Sequence, residues 1–226
     1  MSYHRSENEQ GVTLEPASPA RATVIWLHGL GADGNDFVPI VPELKLPDAL
    51  AVRFVFPHAE VRPVTLNGGM AMRAWYDIIS LDRNGPQDEK GIRASAARID
   101  SLIAEQVEAG IASDKILVAG FSQGGAIALH AGLRHAQRLA GVLGLSTYLP
   151  LEQALAAERS DANCDVPLML CHGSQDPMVP IQLGQHSCEA LRQQGYAPQW
   201  QDYPMQHQVC LEEIQDISAW MQPLLG

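Results

Sequence analysis

The chain has 226 residues, enough for one well-packed domain and few for two. Nearly half are hydrophobic and 18% are charged, so a core can form without disulfides or metal. With 15 basic against 26 acidic residues, a net charge of −11 and no basic run, the balance argues against nucleic acid or an anionic lipid surface as a partner, and it fits solubility.

The expected organisation is a single domain over 1–226, with 1–21 as a polar N-terminal segment that forms a tail or an edge strand. Met1–Gln10 has no apolar region of the secretory type, and no stretch approaches the length of a membrane-spanning helix. A cytoplasmic location without integral membrane association is expected. The four cysteines, Cys164, Cys171, Cys188 and Cys210, form no CxxC pair and read as reduced thiols. Ala22–His28 is short, apolar and rich in β-branched residues, and it breaks at Gly29, as a buried strand followed by a turn does. Asn35–Leu44 predicts a short helix interrupted by Pro39 and Pro42, and Ala51–Phe56 a strand stopped by Pro57. His58–Asp82, which contains Gly68-Gly69 and Trp75-Tyr76-Asp77, reads as a long loop, and such loops are often functional. Asn84-Gly85-Pro86 marks a turn.

Gly91–Gly110 is the clearest helix, with Ile92, Ala96, Ile99, Leu102, Ile103 and Val107 at helical spacing. Strands follow at Lys115–Ala119, Ala140–Leu145, Pro167–Cys171 and Ala197–Tyr203. Helices follow at Gln123–Arg134, Leu151–Arg159, Ile181–Gln194 and Val209–Met221. Strands alternating with helices, and apolar on both faces, imply a mostly parallel sheet sandwiched by helices. Ligands bind such sheets beyond the carboxyl ends of the strands, so chemistry is sought just after each strand.

Gly120-Phe121-Ser122-Gln123-Gly124 follows one strand and opens a helix, the context of a nucleophile elbow. The turn is so tight that side chains at Gly120 and Gly124 would collide, and the serine hydroxyl is held out above the sheet. A base and an acid must then follow in the order serine, acid, histidine. His130 and His135 lie too near the elbow, His172 has no acid before it at the correct end of the sheet, and His186 falls within a helix. His207 lies after the last strand, at the correct end, and is the expected base. Among the acids, Asp165 precedes its strand and Asp202 lies inside one. Asp176 follows the strand Pro167–Cys171 and fits best. The oxyanion donors expected are the amides of Gln123, next to the nucleophile, and Leu30, in the His28-Gly29-Leu30-Gly31 turn; His28 itself reads as a structural histidine of that turn. No H-E-x-x-H or P-loop is present, so no metal and no cofactor are expected. Met70, Met72, Trp75, Met178, Val179 and Met205 fall in segments near the active face and are candidate lining for an apolar acyl group.

Taken together, His28–Gly34, Trp75-Tyr76-Asp77, Gly120–Gly125, His172-Gly173 with Asp176-Pro177, and His207 resemble the carboxylesterase / acyl-protein thioesterase (phospholipase–carboxylesterase) family. The likeness spans about residues 22–222 and is greatest to its bacterial carboxylesterases. It implies an α/β-hydrolase fold without a separate cap domain, the same triad and oxyanion donors, and frequent homodimers. It also implies a small ester or acyl thioester, or a lysophospholipid, as substrate. Gln208 stands after His207 where the eukaryotic thioesterases of the family carry a small polar residue. The expected function is therefore a serine carboxylesterase acting on apolar esters. A thioesterase or lysophospholipase with the same triad is the first alternative, and a non-catalytic binding module on the same fold is the second.

Overall fold

The computed structural model describes residues 3–80, 82 and 85–226. An eight-stranded sheet carries the strand order β1-β2-β4-β3-β7-β8-β9-β10. Its first two strands, β1 (Tyr3–Asn8) and β2 (Gly11–Pro16), form an antiparallel hairpin on one edge. The polar N-terminal segment is thus edge-strand rather than tail. The remaining strands, β3 (Ala22–Leu27), β4 (Val52–Pro57), β7 (Ile116–Phe121), β8 (Gly141–Leu145), β9 (Leu168–Gly173) and β10 (Gln199–Tyr203), run parallel.

Successive side chains of a strand point to opposite faces, and this sorts the core into two layers. Ile25 and Leu27 of β3 belong to the layer that also holds α1 (Glu89–Glu108), α2 (Gln123–Arg134), α3 (Glu152–Glu158) and α4 (Ile181–Gln193), through Ile99, Ile127, Leu155 and Leu191. Val24 and Trp26 face the other way, onto Ile214, Ile217, Trp220 and Met221 of α5 (Leu211–Leu225) and onto Phe37, Val41 and Leu44. The central strands are buried on both faces, which is why they read as unbroken apolar runs.

Three expectations change. The 35–44 segment contains two single 3₁₀ turns, Val38–Ile40 and Pro42–Leu44, because each proline can start a turn but cannot continue one as a helix. The segment expected as a long loop contains a second, two-stranded antiparallel sheet, β5 (Val61–Val64) with β6 (Met70–Arg73). Its strands are only four residues long and largely exposed, too little apolar alternation to register in sequence. Helix α5 runs past Met221 to Leu225 and includes Pro223. The turn expected at Asn84-Gly85-Pro86 begins outside the described residues. All four cysteines are unbridged. Among the described residues no helix is long and apolar enough to cross a membrane.

Glu213, in the first turn of α5, is fully buried, and neither carboxylate oxygen has a partner in hydrogen-bond geometry among the described residues. Burial pushes its carboxyl up to about 8, with the Cys210 amide offsetting part of the rise. Between the ordinary value of 4.5 and about 8, the native state therefore holds a proton that the unfolded chain has released. Stability contributed in this way falls as pH rises through that window. Thermal melts across it should show a declining midpoint for the wild type and a shallower decline for Glu213→Gln. Parallel curves would contradict this account.

Candidate active site

Strand β7 ends at Phe121 and α2 begins at Gln123, so Ser122 alone makes the turn between them. Its backbone sits at φ 54°, ψ −120°, a conformation that non-glycine residues rarely adopt. Close packing imposes this strain. A Cβ on Gly124 would come within 2.5 Å of the backbone oxygens of both Leu27 and His28, and one on Gly120 within 2.3 Å of the Gly124 carbonyl. With no side chains there, α2 seats directly on the end of β3. Ser122 is held at both ends: its N–H donates to the Leu145 carbonyl (2.8 Å), and its own carbonyl accepts from Thr147 Oγ1 (2.6 Å).

The Ser122 hydroxyl donates to His207 Nε2 at 2.9 Å, and His207 Nδ1–H donates to Asp176 Oδ2 at 2.6 Å. His207 lies on the loop between β10 and α5, Asp176 on the turn after β9. The Asp176 side chain is fully buried, and its Oδ1 accepts the Met178 (2.8 Å) and Val179 (2.9 Å) amides. Three charge-favouring hydrogen bonds thus hold a carboxylate away from water. The Phe121 ring packs on the imidazole at 4.7 Å between centroids. The structure therefore joins three side chains from three loops, all at the carboxyl end of the parallel sheet.

The other candidates are bonded differently, although His172 Nε2 lies 3.7 Å from Asp176 Oδ2. His172 donates Nε2–H to the Val179 carbonyl at 2.9 Å, and burial lowers its pKa. His186 pairs with Glu152 at 2.8 Å rather than standing free in solvent. Asp165 pairs with Arg138, and Asp202 lies 3.3 Å from the Trp200 indole nitrogen. Among the described residues no cluster of three or more His, Cys, Asp or Glu side chains is arranged to hold a metal ion.

The turn after β3 runs beside the serine: a Cβ on Gly29 would be 3.5 Å from Ser122 Cβ. In that turn the Gly31 amide donates to Arg73 O and the Ala32 amide to Gly29 O. Among the described residues no acceptor in the protein takes the Leu30 amide. The Gln123 amide opens α2, where N–H groups have no partner within the helix. Two amide donors of the kind that can bind an oxyanion thus flank Ser122.

The expected apolar lining divides. Trp75, Val179 and Met205 are buried packing residues, while Met70 and Met178 are exposed. Met72 lies between, its sulfur against Gly31. A cleft of about 680 Å³ is lined by Tyr148, Leu149, Leu151, Leu183 and a polar set including Gln87, Glu89, Glu152 and His186, and none of Ser122, His207 and Asp176 lines it. Sequence reasoning also missed Thr147 and Tyr148, which carry no motif and are recruited only because β8 lies next to β7. Thr147→Val keeps the shape but removes the hydroxyl that caps the Ser122 carbonyl. Because that carbonyl keeps the Ala126 N–H (3.1 Å), the unfolding free energy should fall by about 0.5–1.5 kcal/mol, read from the urea midpoint.

Comparison with known proteins identifies the family and the fold. The sequence pattern of the phospholipase/carboxylesterase family matches residues 8–225. Acyl-protein thioesterase 1 of Gibberella zeae is 38% identical over 220 residues, covering 92% of this chain and 93% of that protein. The crystal structure of Arabidopsis thaliana SOBER1 superposes with a TM-score of 0.87 at 28% identity, covering 92% of this chain and all of that one. Acyl-protein thioesterase 2 of Zea mays superposes with a TM-score of 0.85 at 31% identity, covering 95% and 98%. The mostly parallel sheet, with helices on both faces, is an α/β-hydrolase fold. With a match over nearly its whole length, the chain belongs to the phospholipase/carboxylesterase family and is a serine hydrolase acting on ester bonds.

Proposed function

We propose that the chain hydrolyses acyl thioesters through Ser122, His207 and Asp176, with the Leu30 and Gln123 amides as oxyanion donors. One observation carries the catalytic reading: the unbroken hydrogen-bond chain from Asp176 Oδ2 through His207 to Ser122 Oγ, at a strained elbow. His207 Nε2 takes the Ser122 proton as Oγ bonds to the acyl carbon, and the carbonyl oxygen becomes an anion facing the two amides. Collapse breaks the carbon–sulfur bond, and the leaving sulfur takes the proton from His207. Water then adds to the acyl-serine, gives a proton to His207, and releases the acid as Oγ regains that proton. Asp176 fixes the imidazole tautomer and stabilises the imidazolium.

The choice of thioesters rests on the relatives. Proteins 36–38% identical over most of their length are named acyl-protein thioesterase 1. The match to a family described as phospholipase/carboxylesterase supports a second reading, a carboxylesterase for short acyl esters. Both share one mechanism and differ in the acyl and leaving groups accepted.

Turnover of p-nitrophenyl esters and acyl-coenzyme A thioesters of graded length tests both readings. Ser122→Ala should lose about 10⁶-fold in kcat and Asp176→Asn about 10⁴-fold. A preference for long acyl thioesters supports the first reading, and a preference for short oxygen esters the second. A folded wild type inert on all of them would remove the catalytic reading and leave a binding module.

A further inference from the structure

The two proposed oxyanion amides come from separate parts of the chain: Leu30 follows β3, and Gln123 opens α2 after β7. They work only if both point at one oxygen, about 2.7–3.1 Å from each. A misplacement of about 1 Å can cost on the order of 10²-fold in rate. Some device must therefore hold the two amides in register. We infer that Trp75, joined to the Gln123 side chain and to the His28 carbonyl, is a brace that fixes the two oxyanion amides relative to each other. This rests on the oxyanion assignment made above.

The connection runs through named hydrogen bonds. The Gln123 carboxamide grips the 75–76 segment at two points: Oε1 accepts the Trp75 N–H (2.8 Å), and Nε2 donates to the Tyr76 carbonyl (2.7 Å). Side chain and amide of Gln123 share one Cα, so the grip also sets the direction of its N–H. From the same segment the Trp75 indole Nε1–H donates to the His28 carbonyl (2.9 Å). His28 completes the path. Its Nε2 accepts the Ala59 N–H (3.0 Å), so Nδ1 carries the proton and donates to the Gly29 carbonyl (2.7 Å).

That last bond aims the Leu30 amide. The Gly29 carbonyl and the Leu30 N–H belong to one planar trans peptide and point in opposite directions. Turning the oxygen into the imidazole turns the Leu30 N–H away from it. Burial pushes the His28 pKa down to about 4, so the ring stays neutral and keeps the one-donor, one-acceptor form the two bonds need. The brace is itself held. Ser95 Oγ donates to the Trp75 carbonyl, the Tyr76 hydroxyl bonds the Tyr148 hydroxyl (2.6 Å), and Asp77 accepts from Thr65 N (2.7 Å) and Oγ1 (2.6 Å). His28, Trp75 and Gln123 are each no more than 2% exposed, so water does not compete for these bonds.

Buried polar groups are paired in any fold, so the test must separate positioning from mere satisfaction. The probes are p-nitrophenyl butyrate, for kcat and KM, and an alkyl trifluoromethyl ketone. The ketone's adduct with Ser122 places an oxyanion between the two amides. Trp75→Phe removes only the indole N–H. His28→Gln can still accept near Nε2 but loses the donor at Nδ1. His28→Asn keeps a donor near Nδ1 and loses the acceptor. Trp75→Phe and His28→Gln should each lower kcat and raise the ketone inhibition constant together, by about 10–100-fold, with KM within about twofold. His28→Asn should stay within about threefold of wild type in both. If Trp75→Phe does not fold, the two His28 variants carry the test alone.

Folded variants with wild-type kcat and ketone affinity would overturn the brace, as would equal losses in both His28 variants. A wild type that turns over substrate but is insensitive to the ketone, or a Ser122→Ala that keeps turnover, would instead overturn the oxyanion or serine reading on which the brace stands.

Discussion

The geometry of the site depends on how closely α2 approaches the end of β3. Gly124 brings the helix backbone to within touching distance of the Leu27 and His28 carbonyls, and nothing larger than hydrogen fits between them. That contact leaves one residue to reverse the chain, and Ser122 takes a left-handed backbone to do it. Strain of this kind costs on the order of 1–3 kcal/mol and persists only where the surroundings over-determine it. Here they do: β7 is bonded on both sides within the sheet, and hydrogen bonds from the next loop fix both ends of the serine.

Around this contact the structure changes from apolar to polar over a short distance. The sheet interior is sealed by Ile, Leu, Val and Trp from both faces. Above its carboxyl edge lie His28, Trp75, Gln123, Thr147 and Asp176, all buried and all hydrogen-bonded. Low local dielectric strengthens such bonds and penalises any group left out, so a fully paired network is rigid. The Trp75-Tyr76-Asp77 motif acquires a physical meaning in this setting. Trp75 reaches the β3 turn, Tyr76 the β8 loop, and Asp77 the turn between β5 and β6. Three neighbouring residues thus join three segments that are distant in sequence.

Glu213 is the counter-example within the same molecule. Among the described residues neither of its carboxylate oxygens has a partner in hydrogen-bond geometry, and burial raises its pKa further than the Cys210 amide lowers it. A carboxyl there is tolerated because it can stay protonated, which avoids the much larger cost of a buried charge. Asp176, equally enclosed, meets two amides and an imidazole. The two acids differ in partners rather than in depth.

The sequence by itself determined the alternation of strands and helices, the elbow, and the positions of Ser122, Asp176 and His207 at strand ends. Each of these is written in local signals: apolar runs bounded by glycine and proline, and a serine between glycines at a strand-to-helix junction. Chain order and the polarity of a parallel sheet did the rest. Tertiary structure decided what depends on which strands become neighbours. Only the β3–β7–β8 order brings Thr147 to the serine carbonyl and Trp75 between the turns that follow β3 and β7. It also decided that Trp75, Val179 and Met205 are buried while Met70 and Met178 are exposed, and it built β5–β6 from residues whose exposure left no periodic pattern to read. Side-chain periodicity reports which face of an element is buried. It carries no information about which distant segment supplies the cover.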